Sequence, residues 1–314
     1  MEKRSARTIL IYILRTLLIE ILVLMALGAF VRAMNAGLSC PDWPLCFGKV
    51  IPDFHPGVWY EFIHRADAGL VAITYLAVFF FVMFSKKLPG KLKPTAISAL
   101  LVLLMLISAG AMTVLKQVAW LAVTTHLMLA TTFYALVLRL SMLLDPRVEP
   151  AGIALPSMLK PTATLLVVAV FCQILLGGVV ASTYAGSVCV DWPYCNGQWV
   201  PTWQGAIGHQ IMHRFLAYAI TLMVLTYAIV MQRCRRSTWM TSQLMNLSRL
   251  TLGVVCAQVI LGIANLLFFI PPWLTVPHQT VAIILLGITL RLRFVVVSNH
   301  HQFNSYLNSG GVSG

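Results

Sequence analysis

The chain has 314 residues, of which 59% are hydrophobic and only 10% charged, with a mean hydropathy of +0.86. That balance excludes a soluble enzyme, and the net charge of +13 does not mark a nucleic-acid binder, because the basic residues are sorted by loop rather than gathered on one face. Apolar runs of about 20 residues, enough to cross a hydrocarbon core of roughly 30 Å, recur along the whole length and leave no room for a soluble domain.

The first run is predicted at 13–33. A basic MEKRSAR precedes it, but the run is too long for a secretory signal and no small-residue cleavage site follows, so it reads as a span. Glu20 sits in its middle, with a buried hydrogen bond or a pair with Arg15 as its only evident uses. A loop containing CPDWPLC (40–46) leads to the second span, 60–84, which opens on YEFIHR. Within it Glu61 and His64 are three apart and share a helical face, and Arg65 follows directly. Lys86, Lys87, Lys91 and Lys93 fill the connection to span three, 95–115, and span four, 119–143, carries His126 near its start and Arg139 near its end.

Arg147 and Lys160 lie in the next connection, before span five at 161–183. A second loop, CVDWPYC (189–195), leads to span six, 206–231, which opens on HQIMHR with His209, His213 and Arg214. Arg233, Arg235, Arg236 and Arg249 lie in or beside the connection to span seven, 250–270. Span eight, 274–296, begins with VPHQT around His278 and closes on Arg291 and Arg293; the final NSGGVSG reads as a disordered tail. The loops on the other side hold only Lys49 and Lys116. This asymmetry places both termini in the cytoplasm and the cysteine loops outside it, in the periplasm or an equivalent space. The basic excess needs no partner beyond anionic membrane lipid, and no nucleic acid.

Shifted by 149 residues, the chain repeats itself: Gly28 falls on Gly177, Gly37 on Gly186, Cys40 on Cys189, Asp42-Trp43-Pro44 on Asp191-Trp192-Pro193, Cys46 on Cys195, and His64-Arg65 on His213-Arg214. Further on the offset becomes 152, pairing Gly110 with Gly262, His126 with His278, and Leu138-Arg139-Leu140 with Leu290-Arg291-Leu292. Agreement of rare residue types at two nearby offsets is the mark of an internal repeat. The predicted architecture is an all-α integral membrane protein of eight transmembrane helices. It is built as two tandem four-helix bundles, 1–150 and 151–314, related by a pseudo-twofold axis along the membrane normal.

His55, His300 and His301 read as solvated surface. His64, His126, His213 and His278 are different. Thirteen residues separate His126 from Arg139 and His278 from Arg291, about 20 Å of helix, which puts both in the outer third of the membrane with His64 and His213. Ionisable groups at such depth are costly and usually functional. Opposed histidines on two helices of a bundle are how a protein ligates heme iron from both faces. Zinc or copper competes, because His209 and His213 form H-x-x-x-H; but the repeat counterpart of His209 is Tyr60, and the symmetric feature of one histidine per helix favours heme. Arg65 and Arg214 suit pairing with heme propionates, and interfacial snorkelling is the plainer alternative.

The halves differ where chemistry would be expected: Glu61 precedes His64, whereas Gln210 precedes His213. A carboxyl group can move protons and a carboxamide cannot, so the first half is expected to host a reaction and the second a redox cofactor. Capping the helix start, or pairing with Arg65, is the structural alternative for Glu61.

GLSCPDWPLC (37–46), the E-x-x-H-R of Glu61, His64 and Arg65, TTHLMLA (124–130), GHQIMHR (208–214) and VPHQT (276–280) resemble the heme A synthase family, in its bacterial form with two extracytoplasmic cysteine pairs. The resemblance covers all eight spans. It implies an oxidoreductase of the bacterial cell (inner) membrane. This enzyme converts a ring methyl of heme O to a formyl group by two successive oxidations, giving heme A for a terminal cytochrome oxidase. It further implies that His64 and His126 hold the substrate heme O iron, that Glu61 is catalytic, and that His213 and His278 are iron ligands of a heme b cofactor. Disulfides Cys40–Cys46 and Cys189–Cys195 follow from the same resemblance. Each is a structural staple or, for the first pair, a redox relay; the spacing is longer than the usual C-x₂₋₄-C of zinc sites. A direct partnership with heme O synthase would suit a scarce, insoluble substrate. The competing functions are a quinol-linked diheme electron-transfer cytochrome and, after it, a heme transporter.

Overall fold

Eight long helices account for most of the chain: α1 (Glu2–Ala33), α2 (Pro56–Phe84), α3 (Lys93–Leu115), α4 (Trp120–Leu144), α5 (Leu159–Ser182), α6 (Gly205–Arg233), α7 (Ser242–Leu267) and α8 (Pro272–Asn308). The computed structural model describes residues 2–145 and 155–308, with side chains over 6–145 and 155–298. All eight helices are long and apolar enough to cross a membrane, and among the described residues there is no β-sheet. The protein is an all-helical, multi-pass membrane protein.

The expected spans lie within a few residues of the helices, except at three ends. α1 begins well before residue 13, because its first turns, although polar, contain nothing that breaks a helix. α7 begins at Ser242, ahead of the expected 250, because Thr241 caps it: its Oγ1 accepts the Leu244 N–H at 3.2 Å. α8 runs through His300 and His301 to Asn308, where a polar tail was expected. The last six residues of that tail, and the 150/151 boundary between the expected halves, lie outside the described residues.

Packing follows two rings. α1, α2, α3 and α4 close on one another in sequence, and so do α5, α6, α7 and α8. The rings meet along α1–α8, α4–α5 and α4–α8. Burial reflects this order: 44% of the apolar window of α4 and of α8 is buried, against 17% for α7 and 22% for α2, α3 and α6. The outer helices turn large apolar side chains such as Ile73, Phe84, Leu222 and Ile260 outward, a face suited only to lipid. Cys172 and Cys256 stand on exposed faces of α5 and α7.

Inside the first ring, fully buried Tyr75 meets Phe133 edge-on at 5.0 Å and donates its hydroxyl to the Ala96 carbonyl at 2.7 Å, joining α2, α3 and α4. Between the rings, Thr124 and Ser182 hydroxyls lie 3.0 Å apart, and Gly287 leaves room for the Tyr134 side chain. At the cysteine-loop end Arg32 donates to the Tyr184 hydroxyl (2.8 Å) and the Ala181 carbonyl (3.1 Å). Arg15 pairs with Asp145 at 2.7 Å; Glu20 instead lies within electrostatic range of Asp67 on α2.

Candidate functional site

The two cysteine loops are built alike. Disulfides Cys40–Cys46 and Cys189–Cys195 close them, and the peptide bonds before Pro44 and Pro193 are cis. Asp42 accepts the N–H groups of Phe47 (2.7 Å) and Gly48 (2.8 Å); Asp191 does the same for Asn196 (2.6 Å) and Gly197 (2.8 Å). Those four residues have φ of +54°, +68°, +54° and +79°, the left-handed region where glycine costs least. The repeated Asp therefore holds a left-handed turn in place. The backbone donors, Gly48 and Gly197 foremost, keep both carboxylates below the ordinary Asp range.

The loops are fastened to the helices that carry the histidines, and differently in each half. Glu61 is buried; its Oε2 accepts the Cys40 N–H at 2.8 Å and its Oε1 pairs with Arg65 at 2.5 Å. Arg65 donates to the carbonyls of Asp42 (2.7 Å), Leu45 (2.8 Å) and Cys40 (3.2 Å). In the second half Arg214 donates to the Tyr194 carbonyl at 2.7 Å, while its buried Nη2 and the buried Oε1 of Gln210 have no partner among the described residues.

All four histidines occupy one kind of seat. The ring of His64 lies against Gly28, His126 against Gly110, His213 against Gly177 and His278 against Gly262. A Cβ on those glycines would stand 3.0, 3.1, 3.2 and 2.9 Å from the respective Cε1 atoms, so any larger residue would displace the ring. Each histidine thus projects from an even-numbered helix onto the preceding odd-numbered one. Across each ring of helices, His64 lies within electrostatic range of His126, and His213 of His278. The Nδ1 atoms of His64, His126 and His278 are buried without a hydrogen-bond partner among the described residues.

Among the described residues no three His, Cys, Asp or Glu side chains gather as a ligand set for a bare metal ion. His209 leaves the zinc pattern too: its Nδ1 faces the Thr183 hydroxyl at 3.4 Å. The paired imidazoles would suit a metal that arrives within an organic ring of its own, and the unpartnered ring nitrogens and the buried Arg214 Nη2 would fit such a group.

Three further residues belong to this site. Gln173 and Gln258 approach the rings of His213 and His278, and Asp67 holds a buried, unpartnered Oδ2 one helical turn below His64. Comparing the repeats beyond the histidines would have found all three, since their counterparts are Leu24, Leu106 and Leu216.

Residues 11–290 match the COX15-CtaA family model, described as cytochrome oxidase assembly protein. The chain is 28% identical over 316 residues to the heme A synthase of Shewanella oneidensis, covering 88% of this chain and 93% of the relative. It is 26% identical to that of Paracoccus denitrificans, covering 93% and 87%. With that of a Methylobacterium species it shares 32% identity over 59% of this chain and 53% of the relative.

Proposed function

The chain belongs to the COX15-CtaA family of cytochrome oxidase assembly proteins, and from that premise we propose that it is a heme A synthase, taking heme O as substrate. The observation that carries the reading is the set of four glycine-seated histidines, paired two by two, with an acid–arginine clasp in the first half only. The first half, 1–150, binds the substrate heme O between His64 and His126. The second, 151–314, holds heme b between His213 and His278. Converting a methyl to a formyl group takes one oxygen from water and releases four electrons and four protons. Bound heme b would carry those electrons one at a time to an external acceptor of the quinone class, which the reaction requires as its oxidant.

The remaining work falls to the side chains. His213 and His278 fix the cofactor's orientation, and the buried Nη2 of Arg214 offers a propionate an ionic partner. Arg65 fills the corresponding place in the first half, but its guanidinium already holds Glu61 and three loop carbonyls; a propionate there shares it with the loop. Glu61 takes up a proton at Oε1 or Oε2 by trading its bond to Arg65 or to the Cys40 N–H. The apolar bundle keeps bulk water from the reacting methyl. The chain lies in the bacterial cell membrane with both termini cytoplasmic and both disulfide loops outside, and heme O synthase is the natural source of the substrate.

Expression in a host that makes heme O but not heme A tests this directly. Mass analysis of extracted hemes is expected to show the hydroxylated and formyl products. Heme O alone, in the presence of folded protein, overturns the reading. The equal seating of all four histidines also suits a diheme electron carrier, and Glu61→Gln separates the two: a carrier keeps its spectrum and turnover, whereas the synthase keeps its heme and loses product.

A further inference from the structure

One helical turn before each seating glycine, on the same face, stands a residue that also meets the histidine. In the first half these are Leu24, before Gly28, and Leu106, before Gly110; in the second they are Gln173, before Gly177, and Gln258, before Gly262. The repeat therefore offers the same position four times and fills it with a hydrocarbon twice and a carboxamide twice, divided by half. The carboxamides reach the rings. Gln173 Nε2 lies 3.1 Å from His213 Nδ1 and 3.3 Å from its Nε2, and donates to the His213 carbonyl at 2.9 Å. Gln258 Nε2 lies 3.4 Å from His278 Nε2.

Both amide oxygens, Gln173 Oε1 and Gln258 Oε1, are buried with no partner among the described residues, as is His278 Nδ1. A buried unsatisfied polar atom costs about 1–3 kcal/mol, and here the cost recurs at repeat-related positions. It is relieved when the imidazoles ligate iron. Once the metal takes one ring nitrogen, the other is an N–H that needs an acceptor. A terminal carboxamide turned about its last bond presents its oxygen there. The backbones of Leu24, Leu106 and Gln258 reach the rings of His64, His126 and His278 alike, but the leucines add no side-chain acceptor to that contact.

We propose that Gln173 and Gln258 are the positioning residues of the cofactor half: their amide oxygens accept the free ring N–H of iron-bound His213 and His278, and the leucines at the matching places leave His64 and His126 with backbone contact alone and no side-chain acceptor. A ligand imidazole whose N–H is held donates more strongly to the metal and favours the ferric state. The second half then retains its heme permanently, and the first releases its heme, as a site for a substrate that must leave as product requires. The inference rests on the reading of the second half as the heme b site.

The test is made on the purified full-length protein, by the midpoint potential of its bound heme and the rate of heme transfer to excess apomyoglobin. Gln173→Leu and Gln258→Leu copy what the first half natively carries. Each is expected to raise the potential and to weaken heme retention about 10–100-fold. Gln258→Glu, a stronger acceptor, is expected to move the potential the opposite way, a reversal that a packing role does not produce. Leu24→Gln combined with Leu106→Gln is expected to slow heme release from the first half. Unchanged potential and release in both leucine variants overturns the proposal. His213→Ala keeps the two readings apart: if it leaves the bound heme intact, the site assignment itself fails. If it removes the heme while the glutamine variants change nothing, only the present inference fails.

Discussion

Glu61 carries two duties that a single substitution separates. Its carboxylate anchors the first disulfide loop through the Cys40 N–H and Arg65, and it is the carboxyl group proposed to move protons. Glu61→Gln keeps the shape and one hydrogen bond but leaves the Arg65 charge without its partner. The expected outcome is a loss of about 1.5–3 kcal/mol locally, read as faster proteolysis of the 40–46 loop, with heme still bound and heme A formation abolished in a heme extract. The glycine seats make a second demand at this scale. Gly262→Val places a methyl-bearing carbon where 2.9 Å separates it from the His278 ring. Heme content per protein, measured by pyridine hemochrome, is expected to fall about 10-fold. The histidines were legible from the sequence because they are rare and repeat. The glutamines and Asp67 were not, since their meaning lies in the leucines that replace them in the other half. Glu61's engagement with Cys40 was also beyond reach, because 21 residues separate them and nothing local links them.

At the scale of elements, the cysteine loops are ordered as much by Asp42 and Asp191 as by their disulfides. Both carboxylates have folded-state pKa values below their unfolded ones. The stabilisation they give is therefore complete above about pH 4, the unfolded value, and is lost as pH falls through the folded one. Hydrogen-exchange protection, relative to the intrinsic rate, at Phe47, Gly48, Asn196 and Gly197 is expected to fall as pH drops below about 4 towards the folded-state values, and Asp42→Asn to lose that pH dependence in the first loop alone. Helix ends obey simpler rules. Thr241→Ala removes the cap of α7 and is expected to cost about 1 kcal/mol, seen as a lower unfolding temperature in detergent. The start of α7 was missed because hydropathy sees only the apolar stretch, whereas the helix begins in a polar turn that a cap, not lipid, sustains.

Over the whole molecule, the eight spans were legible because the bilayer imposes one length and one composition on each. Their arrangement was not: that α1, α4, α5 and α8 form the interior follows from packing between elements far apart in sequence. Sidedness is a prediction at this scale. The lysine- and arginine-rich connections require a green fluorescent protein fused after Gly314 to fluoresce in cells and an alkaline phosphatase fused there to be inactive; the reverse pattern would place the disulfide loops in the cytoplasm.

In each histidine pair one imidazole comes from an interior helix, α4 or α8, and the other from a peripheral one, α2 or α6. The two peripheral helices are not held equally, since α2 leans on α3 more lightly than α6 does on α7. The clasp of Glu61 and Arg65 pins the loop-side end of α2, and the lightly packed seam beside it is where a lateral entrance is expected. Heme O, itself dissolved in the lipid, then has no need to pass through either aqueous phase. It is expected to arrive sideways through the α2–α3 wall and to depart the same way as product. A cross-link engineered between those two helices is expected to stop turnover while the heme b spectrum stays unchanged.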